Sequence, residues 1–292
     1  MQGSLSPSIT AFLPQWVAQQ RWYAGKGRVP AMRRIGGLQL QDPSGQVDID
    51  VHLLLDESGQ TPTTYQVPLT SRKAPLPGAE HALIAKLEHD SLGTRYVYDA
   101  PHDPAFAAAL LQLMVDGGSR ESDGTPGSVV VVGHRVATAD PGHLMASRVL
   151  TGEQSNTSII LELVDSLGTT SNPLICKLFR VLHHGENPDV VMQAALAETG
   201  SMRVPHPVGN VWGEWPDADA PDGLASGHLD FAQEFLPGVA AAWRVALPAD
   251  TPGAPYTQHA RTPGPATGTP PARRPPPPRT RPPPAGHCRR TT

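Results

Sequence analysis

The spacing of apolar side chains along the chain predicts mainly short β-strands. Residues 47–55 carry an apolar side chain at every second position from Val47 to Leu53, which is the pattern of a strand with one buried face. Runs that also favour strands lie at residues 34–41 and 63–69. Turn-forming residues separate the three runs, so we expect them to form an antiparallel sheet.

Two helices are predicted in the same part of the chain. Asp103 and Pro104 suit an N-cap and a first helical position, and Gly117-Gly118 suit a helix end. Four apolar residues between these signals form one stripe, at Phe106, Leu110, Leu113 and Met114. A short helix is predicted to begin at Leu13, with Pro14 in its first turn.

The second half of the chain predicts another sheet with one helix packed on it. Asn187, Pro188 and Gly200 delimit a predicted helix at residues 188–199. Strand patterns occur at residues 129–132, 146–150, 158–163, 174–179, 206–212 and 229–235. We therefore predict an α+β fold, with a mixed antiparallel-sheet domain at residues 1–118, a polar linker at 119–127, and a second domain of antiparallel sheet plus one helix at 128–247.

The composition changes abruptly after residue 247. Fourteen of the 33 prolines lie in residues 248–292. Residues 251–292 hold seven arginines and no acidic residue, so they carry +7, and a net charge of −4 for the whole chain leaves −11 for the rest. A segment of this composition cannot bury enough apolar surface to offset its ordering entropy, so we expect residues 248–292 to be disordered.

Cysteine usage and hydropathy favour a soluble, cytoplasmic protein. The two cysteines, Cys176 and Cys288, show neither a disulfide framework nor a metal-binding spacing. No stretch approaches the roughly 20 apolar residues of a membrane span, and the N-terminus lacks the pattern of a signal peptide. We expect no membrane partner, no nucleic-acid partner and no metal ligand in this chain.

A polar turn followed by a strand lysine is the most informative chemical feature. Residues 151–158 offer small hydroxyl and amide side chains, and backbone N–H groups that suit an anion. Lys177 lies within an apolar run, where a lysine requires an anionic partner. In kinases that partner is a phosphate oxygen, and a helix carboxylate holds the lysine in place. Asp189 and Glu198 are the candidate carboxylates on the predicted helix.

The same residues also allow a purely structural interpretation. A polar turn between strands is common, and a strand lysine often serves solubility at a sheet edge. The turn holds a single glycine, and no GxxxxGK[ST] motif occurs in the chain. The residue types alone leave both interpretations open.

Several motifs, in order along the chain, resemble the actinobacterial maltokinases. In the first predicted domain they are Gln-Gln-Arg-Trp-Tyr-Ala-Gly-Lys-Gly at residues 19–27 and Tyr-Val-Tyr-Asp-Ala-Pro-His-Asp-Pro at 96–104. In the second they are residues 152–158, 177–180, 185–190 and the hinge-like 233–238. The resemblance covers about residues 10–247. It implies that residues 1–118 are an N-terminal cap domain, and that 128–247 are the ATP-binding N-lobe of a kinase-like fold related to aminoglycoside phosphotransferases.

The resemblance also implies a reaction and a set of site residues. Maltokinases transfer the γ-phosphate of ATP, with Mg²⁺, to maltose, and the product maltose 1-phosphate feeds glycogen or α-glucan synthesis from trehalose. The implied ATP-binding residues are Gln154, Ser155, Asn156, Thr157, Lys177, Glu198, Glu234 and Phe235. Position 191, where a helix Glu is expected in relatives, is Val191 here, so the partner of Lys177 stays open between Asp189 and Glu198.

The catalytic motifs of the resembled family do not occur where they are expected. In that family the base and the Mg²⁺ ligands come from a helical C-lobe. They belong to a His-Gly-Asp motif and to a later Asp that precedes a Phe. Residues 227–231 (Gly-His-Leu-Asp-Phe) are similar only superficially, because they precede the hinge where a strand is expected. We therefore expect a truncated form with no catalytic residue, no Mg²⁺ ligand and little or no activity alone.

Rival hypotheses concern the tail and the role of the whole chain. Residues 248–292 are either a frameshifted reading of a GC-rich gene or, at 275–278 and 282–284, polyproline segments for a partner domain. The chain as a whole is a sugar kinase fragment, a non-catalytic nucleotide-binding or interaction fragment, or a structural module. A missing lobe would expose an apolar inter-lobe face and favour self-association.

Overall fold

Two antiparallel sheets organise the part of the chain that the structure describes. The computed structural model describes residues 6–89, 93–122, 129–137, 140–151, 155–200, 204–220 and 222–237. Gln154 of the predicted phosphate loop and the predicted disordered tail, residues 248–292, lie outside these ranges.

The first sheet, sheet A, is formed by the N-terminal strands. Helix α1 (Ser6–Gln19) precedes strands β1 (Met32–Gln41), β2 (Asp48–Asp56), β3 (Thr63–Arg72), β4 (Leu83–His89) and β5 (Gly93–Asp99). The strand order is β1-β2-β3-β5-β4, and all neighbours are antiparallel. Leu13 and Val17 of α1 are buried in one cluster with Tyr65, Val67 and Leu69 of β3, so α1 covers one face of the sheet.

The second sheet, sheet B, contains the later strands. Helix α2 (Pro104–Asp116) leads into β6 (Ser119–Glu121), β7 (Val130–Arg135), β8 (His143–Val149), β9 (Asn156–Val164), β10 (Leu174–Phe179) and the two-residue β11 (Val181–Leu182). Helix α3 (Pro188–Glu198) then precedes β12 (Pro207–Pro216) and β13 (Leu224–Glu234). The strand order is β6-β7-β12-β13-β10-β9-β8, again antiparallel throughout.

Helix α2 forms where its sequence signals predict it. The Asp103 carboxylate accepts a hydrogen bond from the backbone N–H of Ala105 at 2.9 Å, and Gly117 ends the helix with a φ of 64°. Arg72 donates two hydrogen bonds of 2.6 Å to Asp103, which ties this helix start to β3. The predicted apolar stripe is buried in a core shared with both sheets.

That shared core and strand β11 join sheet A to sheet B. Leu38 and Val51 of sheet A lie in the same buried cluster as Val131, Val211 and Leu229 of sheet B. In addition, β11 pairs with Tyr65 and Thr64 of β3, although it directly follows β10 of the other sheet. The described residues accordingly belong to one compact unit that spans Met1–Ala241.

Two sequence-based predictions of local structure were wrong, and one hairpin was not predicted. Pro14 lies inside α1 rather than in its first turn, because the helix begins at Ser6 and its buried apolar residues outweigh the lost backbone bond. Residues 119–121, predicted as linker, form strand β6, whose backbone pairs with β7 whatever its side chains. The hairpin of β4 and β5 was not predicted at all, since charged residues interrupt its apolar positions.

The predicted α+β class with antiparallel sheets and few helices is confirmed. The division into residues 1–118 and 128–247 stays a prediction. None of the helices among the described residues combines the length and the apolar character that crossing a membrane requires.

Candidate functional site

Lys177 lies in the middle of sheet B, on a central strand. It is directly opposite Ser158 of β9 and Phe231 of β13. Directly opposed residues of antiparallel strands project from the same face, so these three side chains share one face of the sheet. The neighbours Ser158 and Phe231 are fully buried, whereas the Lys177 side chain keeps 19% of its surface exposed. The amine is thus half-buried and accessible from one side.

The start of α3 supplies the anionic partner of this amine. Asn187 caps the helix by accepting a hydrogen bond from the N–H of Asp189 at 2.9 Å, and its own N–H donates to Nδ1 of His228 at 3.1 Å. The cap places the Asp189 Oδ2 atom 3.3 Å from the Nζ atom of Lys177. Because 58% of the Asp189 side chain is exposed, water screens this pair and the carboxylate can move away from the amine.

Glu198, which was predicted among the ATP-binding residues, does not meet Lys177. It is the last residue of α3, nine positions after Asp189, or about 13 Å further along the helix axis at 1.5 Å per residue. Of the two carboxylates left open by the sequence, Asp189 is therefore the partner.

The described residues of the predicted phosphate loop do not all project from the face of sheet B that carries Lys177. Ser155 is exposed at the start of the loop segment that the structure describes, and Gln154 lies outside that segment. Asn156 lies opposite Phe179, two positions from the Lys177–Ser158 pair, so it shares the face of Lys177. Thr157 lies between Asn156 and Ser158 and therefore projects from the other face.

The side chain of Thr157 is engaged by a buried arginine. Arg180 is fully buried, and its Nε donates a hydrogen bond to the Thr157 hydroxyl at 2.8 Å. Its guanidinium also donates to both carboxylate oxygens of Asp99, at 2.8 and 2.9 Å, and stacks on the ring of Trp22 at 4.7 Å. Thr157 consequently has a structural role, and its hydroxyl faces away from the Lys177 amine.

The hinge-like residues are also engaged. The N–H of Glu234 donates to the carbonyl of His206, and the N–H of Phe235 donates to the carbonyl of Pro173, both at 2.9 Å. A base bound here would therefore have to use a carbonyl oxygen or another amide. Glu198 and Glu234 instead line a common cavity of about 590 Å³ at the end of sheet B, together with Leu174 and His206.

Sequence reasoning missed a buried polar group behind the site. Asp230 of β13 accepts a hydrogen bond from Gln66 of β3 at 3.3 Å, across the interface of the two sheets. Burial raises the pKa of the Asp230 carboxyl to about 7, against the lowering effects of Gln66 and Arg180. Residues 227–231 lie in strand β13, as predicted. Gln66, the hydrogen-bond partner of Asp230 in sheet A, is too distant in sequence for any local pattern to reveal it.

The arrangement suits an anion rather than a metal ion. A largely buried lysine that shares a sheet face with Asn156 and lies at a helix start can hold a phosphate oxygen. Within the described ranges, no group of three or more His, Cys, Asp or Glu residues could hold a metal ion.

A comparison with known families matches the region that precedes this sheet. A family model described as the maltokinase N-terminal cap domain matches residues 16–103. The match ends at Asp103, the residue that caps α2, so sheet B lies beyond it. The matched part of the chain, residues 16–103, is therefore maltokinase-like and is called the cap region below. It includes Trp22 and Asp99, which hold Arg180.

Proposed function

We propose that this chain is part of an ATP-dependent sugar kinase of maltokinase type, in which sheet B binds the nucleotide and maltose receives the γ-phosphate to give maltose 1-phosphate. The observation that carries the proposal is the ion pair of Lys177 with Asp189 at the start of α3. The maltokinase-like cap region supplies the choice of family, and with it the sugar and the link to glycogen or α-glucan synthesis.

The order of elements around Lys177 supports nucleotide binding. In protein kinases a loop covers the phosphates, a lysine on the third strand contacts them, and a carboxylate on the following helix steadies that lysine. Here the hairpin of β8 and β9 precedes the lysine strand β10, and α3 follows with Asp189. Asn156 shares the face of the lysine, so its amide and the Lys177 amine would converge on the same phosphate group.

The position of the nucleotide base follows from the same strand. Leu174 lies three residues before Lys177, or about 10 Å along β10, and it lines the cavity that also holds Glu234. A nucleotide lying along the strand would place its phosphates at the amine and its base at this end of the sheet. Leu174 and its strand partner Glu234 project from the face opposite that of Lys177, because Leu174 and Lys177 are three positions apart, but the cavity lies at the end of the strand. We therefore propose Leu174 and Glu234 as neighbours of a base that reaches this strand end.

The described residues suit the binding of the ATP phosphates, but they do not supply all the groups that phosphate transfer requires. ATP brings the reactive phosphoryl group, and Mg²⁺ would neutralise part of its charge, but the one carboxylate that pairs with Lys177 is Asp189, and the described residues contain no metal-binding cluster. We propose that this chain binds nucleotide and transfers phosphate slowly or not at all by itself. No step of the transfer is assigned to its residues.

Nucleotide binding can be tested by thermal shift with and without ATP. We expect ATP to raise the melting temperature of the wild-type chain by several degrees at saturation, since a ligand that binds only the folded state stabilises it. Lys177→Ala should weaken ATP binding by about 10- to 100-fold, the usual value of a charge-assisted hydrogen bond. Lys86→Ala, a lysine of the exposed edge strand β4, serves as the matched control and should bind like wild type.

The outcome separates the rival functions. An ATP-dependent shift that Lys177→Ala abolishes supports the kinase-type site, and the absence of any shift in the wild-type chain contradicts it. Release of ADP with maltose, compared with a no-sugar blank, then distinguishes an enzyme from a nucleotide-binding fragment. Turnover typical of a complete kinase would show that this chain already holds the catalytic groups.

A further inference from the structure

A strongly basic loop projects from the cap region. Residues 21–34, here called the basic loop, contain five basic residues and no acidic one, and residues 32–34 begin strand β1. The basic side chains are all exposed, at Arg21, Lys26, Arg28, Arg33 and Arg34. Arg33 pairs with Glu57, but Arg21 and Arg28 form no ion pair with any described residue. Val29 directly follows Arg28 and has 83% of its surface exposed, so the loop presents an apolar residue together with its basic ones.

Buried contacts hold the basic loop in a fixed conformation. The Tyr23 hydroxyl donates to Asp56 at 2.9 Å, and the other oxygen of Asp56 accepts the N–H of Ala31 at 2.9 Å. The N–H of Ala24 donates to the Tyr65 hydroxyl at 3.2 Å. A loop that is ordered before binding loses little conformational entropy when a partner docks, so its exposed residues are well suited to an interface.

An acidic surface of matching character lies at the turn between β12 and β13. Four acidic side chains, called the acidic tip, occur there, in a stretch of sequence (residues 204–243) that contains no Lys or Arg; they are Glu214, Asp217, Asp219 and Asp222. The N–H of Asp217 donates to the carbonyl of Gly223 at 3.0 Å, which closes the turn. Leu224 is 49% exposed beside these carboxylates.

We propose that the basic loop of one copy of this chain docks on the acidic tip of a second copy. The two surfaces are complementary in charge, and each presents one exposed aliphatic side chain, Val29 or Leu224, next to its charges. None of the ion pairs in the described part of the chain joins the two surfaces, so both remain available to a partner. The proposal is independent of nucleotide binding.

This contact joins two different surfaces and has a recognisable signature. A heterologous contact leaves a free basic loop at one end and a free acidic tip at the other, so it extends into larger assemblies or closes into a ring. Because it relies on exposed charges, it should weaken steeply as salt shortens the screening length from about 20–30 Å to about 4–5 Å. Association through an apolar face would instead persist in salt.

The test is light scattering and analytical ultracentrifugation of the whole chain, at about 0.02 M and about 0.5 M salt. We expect a concentration-dependent rise in mass at low salt, lost at high salt. Reversing two charges of the loop (Arg21→Glu with Arg28→Glu) or of the tip (Asp219→Lys with Asp222→Lys) should weaken self-association by about 100-fold or more, because each reversal places like charges opposite one another.

Mixing the two reversed variants gives the decisive result. Each variant alone should be monomeric, and the mixture should regain association, because each reversed surface then meets an opposite charge on the other variant. Lys73→Glu with Lys86→Glu makes the same change in net charge outside the loop and should associate like wild type. A monomer at low salt, association that survives both reversals, or a mixture that stays monomeric would each overturn the proposal. Circular dichroism of each variant checks that it is folded.

Discussion

Asp230 is the residue whose ionisation matters most for the fold. Its carboxyl is fully buried, one oxygen accepts from Gln66, and the other oxygen, like the amide oxygen of Gln66, has no partner among the described residues. Burial removes the water that would solvate the charged carboxylate, and this raises its pKa to about 7, against the lowering effects of the hydrogen bond from Gln66 and the charge of Arg180.

The expected consequence is a stability that falls as the pH rises. A folded pKa of about 7 lies above the unfolded value of 3.8, so the contribution is fully present below about pH 4 and is lost as the pH passes through 7. Between about pH 5 and pH 8 it amounts to on the order of 3 kcal/mol. In Asp230→Asn, which imitates the protonated acid, the free energy of unfolding should lose this dependence.

Urea denaturation at the two pH values measures that difference. Asp219→Asn, at an exposed carboxylate, should keep the pH dependence of the wild type. Parallel curves for wild type and Asp230→Asn would show that Asp230 ionises normally in the folded state.

Single residues also show what the sequence could and could not predict. Lys177 could be singled out, because a lysine within an apolar strand is unusual by itself. Arg180 is the more deeply buried cation, yet it appeared in the sequence only as the end of a motif. Its role depends on Asp99, 81 positions away, and on Trp22, and no pattern of spacing connects such distant residues. The hydrogen bond from Arg180 to the Thr157 hydroxyl could not be predicted for the same reason.

Among the elements, α3 depends most on its first turn. Val190 is its one fully buried residue among the described ones, while Val191 and Met192 are exposed. Packing therefore stabilises this helix little, and the cap at Asn187 together with the contact to His228 fixes where it begins. The same cap sets the position of Asp189 relative to Lys177.

Removing this cap should loosen the helix measurably. We expect Asn187→Ala to lower the free energy of unfolding by about 1 kcal/mol and to speed amide hydrogen exchange in the first turn of α3. Asn187→Asp keeps a carboxylate oxygen in the capping position and should stay close to wild type. Unchanged exchange in Asn187→Ala would mean that tertiary contacts, rather than the cap, hold the helix start.

The elements that the sequence predicted well are those with a regular apolar pattern or clear end signals. Alternation at residues 47–55 and 63–69 led to β2 and β3, and cap and stop residues led to α2 and α3. Two of the edge strands were missed: β4 mixes Lys86 and Glu88 with its apolar residues, and β6 has no apolar residue at all. Such strands are stabilised by backbone pairing with a neighbour, which leaves little trace in composition.

On the scale of the whole molecule, the two sheets share one core. The buried cluster that includes Leu38 and Val51 of sheet A continues through α2 to Val211 and Leu229 of sheet B. A separate cap would therefore expose a large apolar surface to water. For this reason we expect the two sheets to unfold together, although the sequence suggests a boundary near residue 119.

Hydrogen exchange with mass spectrometry across a urea series can test this cooperativity. Peptides from β2 and from β12 should lose protection at the same urea concentration, because loss of either sheet exposes the common core. Two separated midpoints would show that the sheets are independent units.

The position of Arg180 has a consequence for exchanging parts between related proteins. Its guanidinium contacts Trp22 and Asp99 of the cap region and Thr157 of sheet B, and its carbonyl accepts a hydrogen bond from the N–H of Gln66. A chimera that imports only the cap region from a homologue would be viable when the donor brings an aromatic ring and a carboxylate at these places. Trp22, Asp99, Thr157 and Arg180 should therefore be inherited together. A recombination breakpoint between residues 99 and 157 should be tolerated only when both parent proteins carry the same residues at these four positions.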